Sequence, residues 1–479
     1  MQPKVNRGSM LSQSNKKKTT ALIASLGFLA AACGSTASAT TSTVAKSTTT
    51  TTEPLTGNAN ASNPITITVW TAFSGVLGQT FNNLVDQFNA SQGNYKVVAV
   101  YKGPYATVLA DTIAAYKANA APNITQIFDA GTATIMDAQG AYVPVYKLMK
   151  ENNIPFSTSE FIGGAASYYE NNQGNLDSMP FNSSTPVLYY NKTELANAGI
   201  TTPPATWSQV QADADLLAQK GQKCALTSSG AYVMWTDLEE FAMWNGLQYA
   251  TNNNGYSSIN NVSLNITAQP FVDHMAMLGS MAQKGEYVWN GTSTSTVPLF
   301  TNGTCAMYEQ SSASLTTIAA GAQFPFGVAP LPTVDGSNSA PQNTVVGGAS
   351  MWVMAGQPSN TYAGDAQFIQ FLKSPTTQSY WASHTGYVPV TKAGSQLLGQ
   401  QNFYASHPND LVAVNELNNK PPTAYSKGIR LGYLPEVRAV EASAIADILS
   451  GKQTAQAALA SARTQGNAIL QQFAAQYNG

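Results

Sequence analysis

Charge is scarce in this chain of 479 residues. Asp, Glu, Lys and Arg make up only 10% of it, against about 25% in a typical soluble domain. The 23 basic and 25 acidic residues leave a net charge of −2. That balance gives no electrostatic footprint for nucleic acid and no general attraction to anionic lipid. No apolar run reaches 18 residues, so no ordinary transmembrane span is encoded. Cysteine and histidine each occur three times, with no CxxC and no Cys/His cluster, which argues against a metal site and predicts no cofactor. Phosphate-loop, HExxH, GxSxG and GxGxxG segments are absent as well. His274, His384 and His407 are scattered, and each reads as a surface or capping residue. Glu239 and Glu240 are neighbours, and adjacent helical residues do not face each other across a site. A distant carboxylate pair, as in a glycosidase, stays open on sequence grounds.

What is present is a leader and a large body. Lys4, Arg7, Lys16, Lys17 and Lys18 precede a short apolar stretch, Ala21 to Ala32, that ends at Cys33. This is the layout of an export signal, assigned to residues 1–32. Small residues before Cys33 resemble a bacterial lipobox, in which the thiol is lipidated. The pattern wants Leu three places before the cysteine, where Ala30 stands, with Leu29 one further back; ordinary signal cleavage is the alternative. Residues 33–63 are dominated by Thr, Ser and Ala, cannot bury a core, and read as a flexible tether.

The body reads as α/β. Ile65 to Trp70 alternates as a strand, and Leu77, Phe81, Leu84, Val85 and Phe88 share one helical face. Tyr95 to Tyr101, a helix through Val108, Leu109, Ile113 and Tyr116, and Ile124 to Phe128 follow. That order implies parallel βαβ units. Further strand candidates are 186–190, 223–227, 304–308, 326–331 and 350–355, and the chain ends in helix from Pro435 to Tyr477. Cys224 and Cys305 remain in the body. An exported protein meets an oxidising compartment, where two such cysteines invite one disulfide; two separate buried thiols are the alternative.

Several segments resemble the exported solute-binding proteins of ABC importers. They include Lys102-Gly-Pro-Tyr105, Phe128 to Thr134, Pro180 to Asn191, Pro203-Pro-Ala-Thr-Trp207 and Phe300 to Met307. Trp244 to Gly246, Val346 to Ser350, Thr385 to Pro389 and Gly428 to Gly432 continue the pattern. The resemblance runs in order from about Ile65 to Tyr477. It is strongest to the glycerol-3-phosphate binders of the bacterial Ugp importers.

The resemblance implies two α/β lobes of the maltose-binding-protein type, with three hinge crossovers and a ligand cleft between the lobes. The crossovers are expected near 182–187, 328–332 and 386–390. Lobe 1 is then 64–183 plus 331–387, and lobe 2 is 184–330 plus 388–479. Strands at 223–227 and 304–308 fall in one lobe, so their ends can meet.

The resemblance also implies a ligand set. Arg438, one of three arginines in the body, takes the phosphate; a solvated helix-face arginine is the structural alternative. Ser184, Ser311 and the backbone N–H of Gly348 are further oxyanion donors, and Tyr387 donates its hydroxyl. Tyr105 and Asp129 hold the glycerol hydroxyls, and Tyr232 and Trp235 wall the cleft. Turn, cap and core-packing roles are the alternatives at these positions. The glycerol-3-phosphate binders carry Glu and Trp where this chain has Asp129 and Tyr232, so both departures shrink the side chain. The expected function is a lipid-anchored, monomeric binding protein outside the cytoplasmic membrane. It would deliver glycerol-3-phosphate, or a diester such as glycerophosphocholine, to ABC permease subunits. A sugar-binding protein of the same fold and an exported carbohydrate-active enzyme are the competing readings.

Overall fold

The computed structural model describes residues 63–477, apart from 139, 293–294 and 338–340. The expected signal, Cys33 and nearly all of the tether lie outside the described residues.

The first sheet is seeded by the predicted βαβ run. Strand β1 (Ile65–Thr71) turns Ile67, Val69 and Thr71 inward. The following helix, Gly75–Ser91, buries Phe81, Leu84, Val85 and Phe88; Leu77 is half-buried. β2 (Tyr95–Tyr101) and β3 (Ile124–Phe128) pair in parallel with β1. β3 is buried along its whole length, as a central strand covered on both faces must be. β4 (Tyr142–Val143) and β5 (Met179–Ser184) follow in the chain.

The second sheet consists of β6 (Pro186–Asn191), β7 (Cys224–Thr227), β8 (Tyr287–Val288), β9 (Cys305–Ser311) and β10 (Phe326–Pro330). Its order is β10-β6-β9-β7-β8. The last strand, β11 (Gly347–Met354), returns to the first sheet, whose order is β2-β1-β3-β11-β4 with β5 also on β11. β11 begins three residues earlier than the expected 350–355 because Gly347 and Gly348 pair with Ser184 and Ser183. Cys224 and Cys305 are register partners on β7 and β9. They are joined by a disulfide with Cα atoms 4.6 Å apart.

The chain therefore leaves the first sheet between β5 and β6, at Thr185, and is back in it at β11 after β10 of the second sheet. The third expected crossover differs. Val388 N donates to Ser183 O at 2.9 Å. Val390, Ala413, Val414 and Leu417 join a core of the first sheet, whereas Ile429, Leu431 and Leu434 join the cluster that holds Leu188, Leu226 and Met307 of the second sheet together with Ile127, Phe128 and Trp352 of the first. The chain changes core between Leu417 and Ile429, not near 387. Val390, Ala413, Val414 and Leu417 thus hold the segment up to 417 against the first core.

His274 also departs from expectation. It is buried, stacked on Phe241 at 4.2 Å and 3.4 Å from the Asp237 carboxylate. His384 and His407 are exposed. No helix among the described residues is long and apolar enough to cross a membrane.

Candidate functional site

The ends of these elements meet at a cavity of about 300 Å³. Tyr105, Asp129, Ser184, Tyr232, Trp235, Ser311, Gly348, Tyr387 and Arg438 all line it. So do Leu77, Gln310, Ser314 and Thr317, which sequence reasoning passed over. Nothing in their local sequence marks them; only the fold brings them in.

Each side chain is set by its backbone context. Tyr105 opens the helix Tyr105–Lys117 behind Pro104, and its ring stacks on Phe128 at 5.4 Å. Asn182 Nδ2 donates to its hydroxyl at 2.8 Å. Asn182 is held in turn by Gln126 Nε2 at 2.9 Å, and Ala72 N donates to Gln126 Oε1 at 2.7 Å. A buried relay thus fixes the phenol to the sheet. Tyr387 stacks on Trp381 at 5.7 Å, with its hydroxyl 3.5 Å from that of Tyr105. Burial pushes both phenols above their usual pKa, so both stay protonated and able to donate.

Gly348 is glycine for a reason other than ligand approach. Its φ is +95°, and a Cβ would lie 1.7 Å from Asn182 O. At Gly347 a Cβ would lie 2.5 Å from Trp235 Cζ2. The two glycines let β11 close on β5 and on the indole. Trp235 itself has a buried Nε1–H with no protein partner among the described residues, an unmet donor on the cavity wall.

The charged end differs from the expected arrangement. Arg438 sits in the second turn of helix Leu434–Leu449. Its Nη2 donates to Asp129 Oδ2 at 2.6 Å and to Glu239 Oε2 at 2.7 Å, and its Nε donates to Glu239 Oε1 at 2.6 Å. Asp129 and Arg438 were expected at opposite ends of a ligand; they are paired. Opposite charges with little access to water attract strongly. Burial alone would lower the Arg438 pKa, but Asp129 and Glu239 hold it well above the usual value. Burial raises Glu239, against the pull of Arg438.

Glu239 and Glu240 belong to a π-helical turn, Trp235–Glu240, and diverge from it. Glu240 Oε2 accepts Val345 N at 2.6 Å and Thr344 Oγ1 at 3.0 Å. One turn therefore touches the cavity through Trp235, the arginine through Glu239, and an inter-sheet segment through Glu240. A second cavity, of about 620 Å³, shares Phe128, Tyr232 and Arg438 with the first. Its remaining wall is mostly small or apolar, including Ala106, Met234, Trp289, Ala439 and Ala442.

The arrangement offers hydroxyl and amide hydrogen bonds, aromatic faces and one guanidinium. It suits a small polyhydroxylated or phosphorylated ligand. Among the described residues there is no cluster of three or more His, Cys, Asp or Glu that could hold a metal.

Residues 83–409 match the family model described as bacterial extracellular solute-binding protein. The chain is 40% identical over 422 residues to the sn-glycerol-3-phosphate-binding periplasmic protein UgpB of Yersinia pseudotuberculosis serotype I (strain IP32953), covering 88% of this chain and 95% of that protein. The UgpB of Escherichia coli O1:K1 / APEC is also 40% identical, over 87% of this chain and 94% of its own length. Among solved structures, UgpB from Mycobacterium tuberculosis in complex with glycerophosphocholine superposes with a TM-score of 0.72 at 22% identity, covering 87% of this chain and 100% of that one. The sugar-binding protein MalE from Xanthomonas citri gives 0.69 at 17%, covering 86% and 99%. These likenesses identify the two-lobe fold.

Proposed function

Because the chain belongs to the bacterial extracellular solute-binding protein family, we propose that it captures glycerol-3-phosphate or a glycerophosphodiester outside the cytoplasm and delivers it to an ABC importer. Relatives at 40% identity over most of their length are named for glycerol-3-phosphate. The observation that carries the reading is the cavity itself. It brings a guanidinium, serine hydroxyls and two protonated phenols within one small space, the donor set a phosphate ester needs.

The nine lining residues named from sequence are the proposed binding set. Arg438 and the serines meet the phosphate, and Tyr105, Tyr387 and Asp129 meet hydroxyls. The second cavity takes the other arm of a diester. The lobes are read as 64–183 plus 331–417, and 184–330 plus 429–479, closing as a hinge. We read the chain as a monomeric binder, not an enzyme, in keeping with relatives that are binding proteins. Cys33 is read as the lipid anchor; Cys33→Ser then moves the protein from the membrane fraction to the medium or leaves uncleaved precursor, and unchanged lipid labelling refutes the anchor.

A neutral sugar is the second reading. It is favoured by one observation: the single cation among the cavity-lining residues is already paired with two carboxylates. Calorimetric titration with glycerol-3-phosphate, glycerophosphocholine and maltose separates the two. Binding of either phosphate ester without maltose supports the first; binding of maltose alone selects the second. Turnover of a chromogenic glycoside or phosphodiester would overturn the binder reading.

A further inference from the structure

Glu239 stands behind the cavity rather than in its wall. It is fully buried, and both of its carboxylate oxygens bind Arg438. These bonds use Nε and Nη2, and Asp129 also takes Nη2. Nη1 has no protein partner among the described residues. The guanidinium is thus clamped on one edge and offers the other to a ligand.

We propose that Glu239 is the specificity-determining residue of the site: by offsetting the Arg438 charge from behind, it sets the ligand charge the cavity accepts, favouring phosphodiester monoanions and zwitterions over phosphate dianions. This rests on the glycerol phosphate reading above. Asp129 lines the cavity and can exchange its bond with a ligand. Glu239 is bonded to Arg438 through both carboxylate oxygens, and this pairing, acting against burial, holds its negative charge in every bound state. With Asp129 it leaves the cluster one negative charge in excess. A dianion entering there meets like charge in a desolvated site, which is costly. A diester carries one charge less.

The groups facing Glu239 do not cancel this effect. Arg438 and Glu441 come from helix Leu434–Leu449, Asp129 from the turn after β3, Tyr168 from helix Gly163–Tyr169, and Tyr249 from the loop after helix Phe241–Trp244. Burial pushes Glu441 up to about 8, so it is neutral at pH 7, as are both tyrosines. Asp129 and Arg438 are the charges left to weigh against Glu239.

The test is calorimetry with glycerol-3-phosphate and glycerophosphocholine from pH 5 to 7.5, on the wild type, Glu239→Gln and Glu239→Asp. A phosphate monoester takes its second charge near pH 6, so about there wild-type affinity for glycerol-3-phosphate falls as pH rises, while that for glycerophosphocholine stays level. Glu239→Gln shifts the affinity ratio toward the monoester by about tenfold or more and flattens the pH profile. Glu239→Asp keeps the charge and the wild-type ratio. A Gln variant that binds both ligands with an unchanged ratio and profile overturns the inference alone. So does a wild type whose monoester affinity does not fall with pH, a readout that needs no variant. A wild type that binds neither ligand overturns the site reading and this inference with it.

Discussion

Arg438 and Glu239 are joined edge to edge, with Nε to Oε1 at 2.6 Å and Nη2 to Oε2 at 2.7 Å. Glu239 comes from the turn Trp235–Glu240 and Arg438 from helix Leu434–Leu449, whereas Asp129 follows β3 of the first sheet. The same guanidinium therefore ties three elements together, far apart in the chain. Its position is fixed before any ligand arrives, which reduces the ordering cost of binding.

Replacing Arg438 acts on binding and on the fold. Removing a buried partner of a phosphate costs about 2–5 kcal/mol, roughly a 30- to several-thousand-fold loss of affinity. Arg438→Ala also strands Glu239 and Asp129, and breaking a buried pair costs about 3–5 kcal/mol of stability. Arg463→Ala, at an exposed position, changes neither. Calorimetry and urea unfolding of both variants check this; undiminished binding by Arg438→Ala means the phosphate lies elsewhere.

Cys224 and Cys305 are 81 residues apart, so their bond removes a large loop from the unfolded ensemble. The chain-entropy model gives a stabilisation of about 4 kcal/mol for a loop of this size. The double variant Cys224→Ser/Cys305→Ser should lose roughly that amount and melt at a lower temperature. Mass spectrometry of unreduced protein with two free thiols would rule the bridge out.

Glu441 supplies a pH signature. Burial raises its pKa from 4.5 to about 8, and the Tyr249 hydroxyl bonded to it lowers it only in part. The folded protein holds this proton where the unfolded chain has released it. The stabilising contribution is full below about pH 4.5 and is lost as pH rises toward about 8. Across that window wild-type stability should fall relative to Glu441→Gln by at most about 1.4 kcal/mol per pH unit. Urea unfolding at pH 5, 6.5 and 8 reads the difference; parallel curves for the two proteins contradict the shift.

Cavity size offers a fourth check. Tyr232 borders both cavities, so a larger ring there narrows the passage to the second. The double variant Asp129→Glu/Tyr232→Trp should favour glycerol-3-phosphate over glycerophosphocholine by a few fold. An unchanged preference in competition titrations shows that the second cavity does not hold the diester arm.

Much of this was legible in the residues. The alternation of Ile67, Val69 and Thr71 and the helical spacing of Phe81, Leu84, Val85 and Phe88 located β1 and its helix, because each element repeats on its own period. Motif resemblance gathered nine residues that the structure brings to one cavity. Pairings across long sequence separations were not legible. Asp129 and Arg438 lie 309 residues apart, and nothing local announces their bond. Glu239 was set aside as a neighbour of Glu240, since sequence gives no sign that this turn is π-helical rather than α-helical. His274 was misjudged because a lone histidine carries no mark of the rings that enclose it. The short helices after 388 give no local sign of which sheet they meet: Val414 and Leu417 pack in the first core, while Val412 packs against Val187 and Tyr189 of the second sheet.

The π-helical turn Trp235–Glu240 works as a crank. Its backbone cannot rotate without moving the indole on the cavity wall, the carboxylate behind Arg438, and the carboxylate that receives the Val345 amide. A push on Trp235 is thus delivered to Thr344 and Val345 through one short turn. A ligand seated against the indole should slow hydrogen exchange at the Val345 amide more than at the equally buried amides of β7, and equal slowing at both would mean that the turn transmits nothing.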